Sequence, residues 1–364
     1  MPIWLLFFIL FLVVFNFIVF YIGFMTRKWI FPTRSALFKN IYLAMFMLLT
    51  NALTFGSMLG STLIRAVGFY WMAIFYILFI TVPILHIIIF LTRFSRLKRV
   101  QSEKWAGWLT IVMIVVVMIY GSYNAYSPVV RTFEVALESD ETPTKQLNIV
   151  MAADMHFGLL SGKDHAVRMV EEINKLEPDI VLFPGDIVDD SIDEYVRQGM
   201  VEIISNIEST FGVYASLGNH DKGDIPELIE ILEDSNINVL YDETIEINDA
   251  FTLIGRKDKT EKVRLPLSDL VKAADQTKPI ILLDHQPYEF DIAEKEGIDL
   301  LVAGHTHRGQ LAPFHLVTQS IYENDWGAMQ KGELHTIVTS GFGFWGPPIR
   351  TNSRSEIVQI QFNY

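Results

Sequence analysis

The pattern of apolar and polar positions changes character once along the chain. Four apolar runs, at about 3–25, 41–64, 68–91 and 108–126, fall within the first 130 residues. Each is near the ~20 residues that carry a helix across a bilayer. Asn51, Gly56, Ser57 and Gly60 interrupt the second run, and Pro83 predicts a kink in the third. From about Arg131 the runs shorten. Segments 147–153, 179–183, 212–217, 280–283 and 300–302 read as strands, and 167–176 and 225–234 as helices. Strand, polar loop and helix in repetition predict an α/β layered fold. The acidic, polar stretch 138–145 marks a boundary. The expected organisation is a membrane domain with about four transmembrane helices at 1–130, a linker and first strand at 131–145, and an α/β domain at 146–364.

Charge sharpens this division. Residues 1–130 hold ten Lys and Arg and one acid, Glu103, a net of +9; the remainder holds 19 basic and 41 acidic residues, a net of −22. Two such parts belong to different solvents. The acidic part would be repelled by phosphate backbones, which argues against nucleic acid as a partner. There is no cysteine, so thiolate ligands, disulfides and cysteine nucleophiles are excluded. The first apolar run is too long for a signal peptide and lacks a basic residue before it and a small-residue cleavage pattern after it, so it is read as a retained span. Arg27, Lys28, Arg34 and Lys39 follow the first run, and Arg93, Arg96, Lys98, Arg99 and Lys104 follow the third, whereas only Arg65 lies between the second and third. Basic loops face the cytoplasm. The expectation is a multi-pass cell-membrane protein with its α/β domain extracytoplasmic, an assignment that reverses if one span is miscounted.

Several membrane-domain residues have ordinary readings. His86 is expected to bond a neighbouring helix rather than relay protons. Gly56 and Gly60 form one GxxxG, a helix-packing signal that is common by chance. Trp4, Tyr70, Trp71, Trp105, Trp108 and Tyr120 read as interface anchors.

The chemistry gathers where the predicted strands end. Asp154 and His156 follow the first, Asp186 the second, Asn219 and His220 the third, His285 the fourth, and His305 and His307 the fifth; these include five of the nine histidines. Open α/β sheets collect ligand sites on that edge, and clustered His and Asp have no inexpensive core explanation. Imidazole with carboxylate and amide oxygen suits divalent Mn, Zn or Fe. So many donors favour two ions, which together activate a water and stabilise displacement at phosphorus, with Asp186 the best bridging carboxylate. Asp189 and Asp190 read more readily as supporting or helix-capping acids, and Asp284 as a solvated or supporting one. His165, His315 and His335 read as surface or packing residues.

Asp154-x-His156, Gly185-Asp186-x-x-Asp189, Gly218-Asn219-His220-Asp221, His285 and Gly304-His305-x-His307, in this order, resemble the calcineurin-like metallophosphoesterases over about residues 145–360. His285-Gln286-Pro287, Gly309-Gln310, Gly341-Phe342-Gly343 and Pro348-x-Arg350 are similar to its membrane-associated bacterial branch, which includes phosphodiesterase-like proteins and enzymes resembling UDP-diacylglucosamine pyrophosphatases. The resemblance implies a four-layer α/β/β/α sandwich. It implies one metal on Asp154, His156, Asp186 and His307 and another on Asp186, Asn219, His285 and His305. His220 would then face substrate as a general acid, with Asp221 orienting its ring. Arg308 stands where that branch usually has glycine and is expected to add a cation beside the phosphate or to point into solvent. Phe344 and Trp345 are expected to line a lipid or nucleoside slot, to face the bilayer or to pack in the core.

The leading expectation is a membrane-anchored dinuclear-metal phosphohydrolase acting by hydroxide attack on a phosphorylated, lipid-linked or envelope substrate. A soluble nucleotide-type substrate is the alternative. A third reading, a non-catalytic membrane scaffold, is disfavoured because every ligand position of the motif is filled. Oligomeric state is not legible.

Overall fold

The computed structural model describes residues 3–94, 99–137, 145–189 and 191–364. Residues 138–144 of the expected linker, Asp190, Arg96 and Lys98 lie outside the described residues. The chain divides into two compact units, Met1–Gly121 with Gly346–Pro348, and Ser122–Trp345 with Ile349–Tyr364.

The helices are α1 (Ile3–Ile30), α2 (Ala36–Thr50), α3 (Ala52–Met58), α4 (Thr62–Leu91) and α5 (Arg99–Tyr126). Among the described residues α1, α4 and α5 are long and apolar enough to cross a membrane, and α2 with α3 forms a pair bent by 56°. The segment expected to form the second span is therefore not one straight helix but two, meeting at a bend. Its break falls at Asn51, whose side chain donates to the Met47 carbonyl at 2.8 Å and whose backbone closes α2. A short amide side chain competes in this way with helix propagation. The helix α4 continues through Pro83. His86 on α4 lies 2.7 Å from the Tyr21 hydroxyl of α1, the interhelical bond expected of it. The GxxxG pair divides its roles. Gly56 lets the Arg65 backbone approach, since a Cβ there would lie 2.7 Å from its nitrogen, whereas Gly60 occupies a left-handed turn with φ 61° and packs against nothing.

The second unit holds two six-stranded mixed sheets. With strands β1 (Val129–Ala136), β2 (Gln146–Met151), β3 (Ile180–Pro184), β4 (Val213–Ser216), β5 (Ile237–Val239) and β12 (Glu356–Asn363), the first has the order β1-β12-β2-β3-β4-β5. With β6 (Glu243–Ile247), β7 (Phe251–Gly255), β8 (Ile280–Leu283), β9 (Leu300–Ala303), β10 (Gly327–Lys331) and β11 (Leu334–Val338), the second has the order β10-β11-β9-β8-β7-β6. Buried residues of both sheets, among them Ile149, Leu182 and Ile360 from the first and Leu253, Leu283 and Val302 from the second, form one core between them. Each outer face has its own core against helices: α6 (Lys163–Asn174) and its neighbours through Met169 and Ile173 on the first sheet, and Leu270 and Phe290 on the second. This is a four-layer α/β/β/α sandwich, and it explains the sequence pattern. Central parallel strands are covered on both faces and read as continuous apolar runs rather than alternating ones.

Candidate metal centre

The seven expected donors sit on five loops, each leaving the C-terminal end of a strand. Asp154 and His156 follow β2, Asp186 follows β3 and Asn219 follows β4, all in the first sheet; His285 follows β8, and His305 and His307 follow β9, in the second. The backbone turns sharply to aim them. Asp154, His156, Asp186, His305 and His307 have φ of 53°, 46°, 54°, 71° and 47°, left-handed conformations that cost a non-glycine residue about 1–3 kcal/mol and persist where the surroundings over-determine them. Two glycines make room. A Cβ on Gly218 would lie 2.2 Å from Asp186 Oδ1, and one on Gly304 2.4 Å from Asp154 Oδ2.

The expected donors fall into two groups, Asp154/His156/His307 and Asp186/His285/His305, each with its ligand atoms within 4.8 Å of one another, and a third group of the same kind, His156/Asp189/His220, shares His156 with the first. In the first, His307 Nε2 lies 3.5 Å from Asp154 Oδ1 and 3.1 Å from His156 Nε2. In the second, His285 Nε2 lies 3.1 Å from Asp186 Oδ2 and 3.2 Å from Asn219 Oδ1. The same Asp186 Oδ2 lies 3.8 Å from His156 Nε2, so one carboxylate oxygen faces both groups. Backbone donors hold the acids: His305 N–H donates to both oxygens of Asp154 at 3.0 Å, and His220 N–H donates to Asp186 Oδ1 at 2.7 Å. The Nδ1–H of His285 donates to the Pro184 carbonyl at 2.9 Å, leaving Nε2 as its ligand atom.

The electrostatics fit positive charge. Burial opposes charge on Asp186, yet His285 and His156 hold its carboxyl well below the usual carboxylate range. Burial would also lower the His285 pKa, but the Asp186 and Asp154 carboxylates raise it to about 10. A position that retains a proton this tightly is one that a divalent cation can take. His305 is pushed down to about 4 by burial and the neighbouring His285 charge, and His307 well below its ordinary value by burial and Arg350. Both therefore present neutral lone pairs. Two buried carboxylates, Asp154 and Asp186, facing imidazole nitrogens make a donor set suited to divalent ions.

The structure revises the surroundings of His220. Asp221, expected to orient its ring, is buried, and its oxygens are occupied by the backbone N–H groups of Ile187 at 2.9 Å, Val188 at 2.8 Å and Gly218 at 2.8 Å. It braces the two loops that carry Asp186 and Asn219, and burial together with the Asp186 charge raises its pKa to about 6. The carboxylate beside His220 is Asp189, with Oδ1 3.3 Å from Nδ1. Its spacing three residues after Asp186 was the available signal.

The three expected substrate contacts also separate. Phe344 is 3% exposed and packs between Tyr126 and His165, with ring centres 5.1 and 6.4 Å away; it is core and offers no face to a ligand. Trp345 is 55% exposed, its ring 5.9 Å from that of His220. Arg308 has φ 49°, a conformation for which glycine is the ordinary choice, and stacks its guanidinium 3.9 Å from the Trp326 ring centre. Asp284, expected to be a solvated or supporting acid, is buried and clasped by Arg256 at 3.2 Å and by Arg264. Arg350, read in the sequence only as part of the resemblance, is fully buried with Nη2 3.2 Å from His307 Nδ1. It donates to the Ser340, Gly341 and Gly343 carbonyls, tying the loop after β11 to the donor cluster.

Comparison with known proteins agrees with this arrangement. The calcineurin-like phosphoesterase family model matches residues 147–309. A protein of Helicobacter pylori named an uncharacterized metallophosphoesterase is 34% identical over 60% of this chain and 60% of its own length, so the chain spans well under two thirds of that relative. A Danio rerio transmembrane protein with metallophosphoesterase domain is 30% identical over 65% of this chain and 57% of its own. A metallophosphoesterase of Aquifex aeolicus is 30% identical over 64% of this chain and 91% of its own length. With nearly all of the Aquifex relative matched and the motif residues gathered at one sheet edge, this chain belongs to the calcineurin-like metallophosphoesterases.

Proposed function

We propose that the chain is a membrane-anchored, dinuclear-metal-dependent phosphohydrolase that cleaves phosphoester or pyrophosphate bonds of a lipid-linked or envelope substrate. The observation carrying this reading is Asp186 Oδ2, which faces donors of both groups at 3.1 and 3.8 Å. Asp154, His156, Asp186 and His307 would hold one divalent cation, and Asp186, Asn219, His285 and His305 the other. Such a pair of Mn, Zn or Fe ions supplies an activated water and Lewis-acid stabilisation of the charge that develops at phosphorus. His220 stands outside the donor set and gives a proton to the departing oxygen. Asp189 holds the Nδ1 side of that ring, so Nε2 is the atom from which the proton leaves.

Membrane anchoring is supported by the three long apolar helices and by the transmembrane relative. A substrate in or near the bilayer is supported by chain continuity, because α5 ends at Tyr126 and β1 begins at Val129. The distribution of basic residues supports an extracytoplasmic hydrolase unit. The test is purified full chain with Mn²⁺ and chromogenic phosphodiester and monoester substrates, beside His220→Ala. Hydrolysis by the parent and its loss in the variant are expected; activity surviving His220→Ala, or absent with every divalent metal, overturns the reading. A lipid extract of cells lacking the protein is expected to accumulate a phosphorylated species.

Trp345 favours a second reading of the substrate. An exposed indole beside the proton donor offers a stacking face for a soluble nucleotide base. Equal turnover of a delipidated substrate in detergent and a bilayer-bound one would select that reading.

A further inference from the structure

The membrane unit contains a polar cavity that the hydrolase chemistry does not use. It has a volume of about 240 Å³, and its lining includes Lys28, Trp29, His86, Arg99 and Glu103. Its walls come from the ends of α1 and α4 and the start of α5, and Lys28 and Arg99 are the basic residues among them.

Glu103, the sole acid of the first 130 residues, organises it. Its Oε1 takes Lys28 Nζ at 2.8 Å and Arg99 Nε at 3.1 Å. Two cations are thus drawn to one carboxylate, and the ion cluster keeps one positive charge. Neither cation is used up. Lys28 keeps two of its three donors, and among the described residues Arg99 donates only through Nε, leaving both Nη groups. Their side chains are 41% and 75% exposed, so both remain accessible. Met25, Trp29, Ile89 and Phe90 supply the apolar part of the same lining.

We infer that this cavity binds the phosphodiester headgroup of an anionic phospholipid. A phosphodiester monoanion supplies the one negative charge that the cluster lacks. The placement also agrees: Lys28 is two residues from the end of α1 and Arg99 is the first residue of α5, and basic side chains at the ends of apolar helices reach the headgroup region. An acyl chain continues along the apolar part of the lining. Basic pockets between membrane helices recognise anionic headgroups by this combination. The inference does not depend on the hydrolase reading or on which side of the membrane this end faces.

The test is saturation binding of dioleoylphosphatidylglycerol to the purified full chain in neutral detergent, read with native mass spectrometry. One retained lipid per chain and a saturable component are expected for phosphatidylglycerol and not for zwitterionic phosphatidylcholine. Lys28→Gln with Arg99→Gln is expected to weaken binding on the order of 10-fold, while Lys39→Gln, a basic residue outside the cavity, leaves it unchanged. Glu103→Gln, which removes the competing anion, is expected to tighten it, a gain that misfolding does not produce. Equal phosphatidylglycerol binding by the parent, the double variant and Glu103→Gln overturns the inference. So does equal retention of phosphatidylcholine, or displacement of the lipid by inorganic phosphate at comparable concentration.

Discussion

Asp189 Oδ1 lies 3.3 Å from His220 Nδ1 and, on its other side, 3.5 Å from His156 Nδ1. Burial opposes its charge, yet these two rings hold its carboxyl well below the usual carboxylate range. One anion therefore touches both a proposed metal ligand and the proposed proton donor. Replacing His220 with Ala is expected to lower kcat by ~10²–10⁴-fold with metal content intact. Asp189→Asn is expected to lower kcat by ~10–100-fold and to move the alkaline limb of the kcat–pH profile, where a proton donor fails, to lower pH. An unchanged profile with reduced kcat would make Asp189 merely structural.

Asp186 separates a two-ion centre from two independent sites. Removal of a bridging carboxylate affects both ions, whereas removal of His305 affects one. Asp186→Ala is expected to lower bound metal from about two equivalents per chain to well under one, and His305→Ala to leave about one. Elemental analysis of the purified variants reads this directly. Two equivalents retained in Asp186→Ala would exclude a bridge.

The close approach at Gly218 makes a steric prediction. A methyl there would lie 2.2 Å from Asp186 Oδ1 and 2.5 Å from its backbone nitrogen. Gly218→Ala must displace the loop that carries Asp186, at a cost of ~1–3 kcal/mol. A lower thermal midpoint together with weakened metal retention is expected. The control Gly60→Ala tests a left-handed glycine with no neighbour within 4 Å; it should be destabilised by backbone strain alone, with metal retention unchanged.

His165 provides a pH prediction remote from the donors. Its ring packs on Phe342 with centres 4.2 Å apart, and Nε2–H donates to the Phe342 carbonyl at 3.3 Å. Burial lowers its pKa from 6.5 to about 4. Because the folded value is depressed, its contribution to stability is full above pH 6.5 and is lost as pH falls through about 4. The loss amounts to about 3 kcal/mol. His165→Gln is expected to flatten the fall of thermal midpoint between pH 6.5 and 4; a parallel fall in parent and variant would refute the assignment.

Sidedness is open to protease accessibility on intact cells. Cleavage of the α/β unit without permeabilisation is expected from the basic loops. Protection until lysis would place the unit in the cytoplasm.

Much of the architecture was legible in the chain. The strand expected at 280–283 is β8 and the helix expected at 225–234 runs Ile225–Asp234, because buried parallel strands and an amphipathic helix each impose a simple apolar period. The candidate donors stood out in the chain because His and Asp at strand ends are hard to account for otherwise, and the fold brings them to one sheet edge. The apolar segment at 41–64 was legible only as an irregular one; that it bends at Asn51 depends on where one amide side chain finds its acceptor. Phe344 illustrates the limit in the other direction, since an aromatic among glycines reads equally as pocket wall or core until its neighbours are known.

Residue order thus determined the apolar and acidic parts of the chain, the layered α/β pattern and the inventory of candidate metal-binding side chains, since all three follow from local periodicity and composition. Tertiary structure alone decided which acid serves His220. Asp189 and Asp221 are both near in sequence and chemically identical. Three backbone N–H groups converge on Asp221 and withdraw it into the scaffold, while Asp189 is left facing the two imidazoles. A carboxylate goes where its oxygens are satisfied, and the positions of those donors are a property of the folded loops rather than of any neighbouring residue.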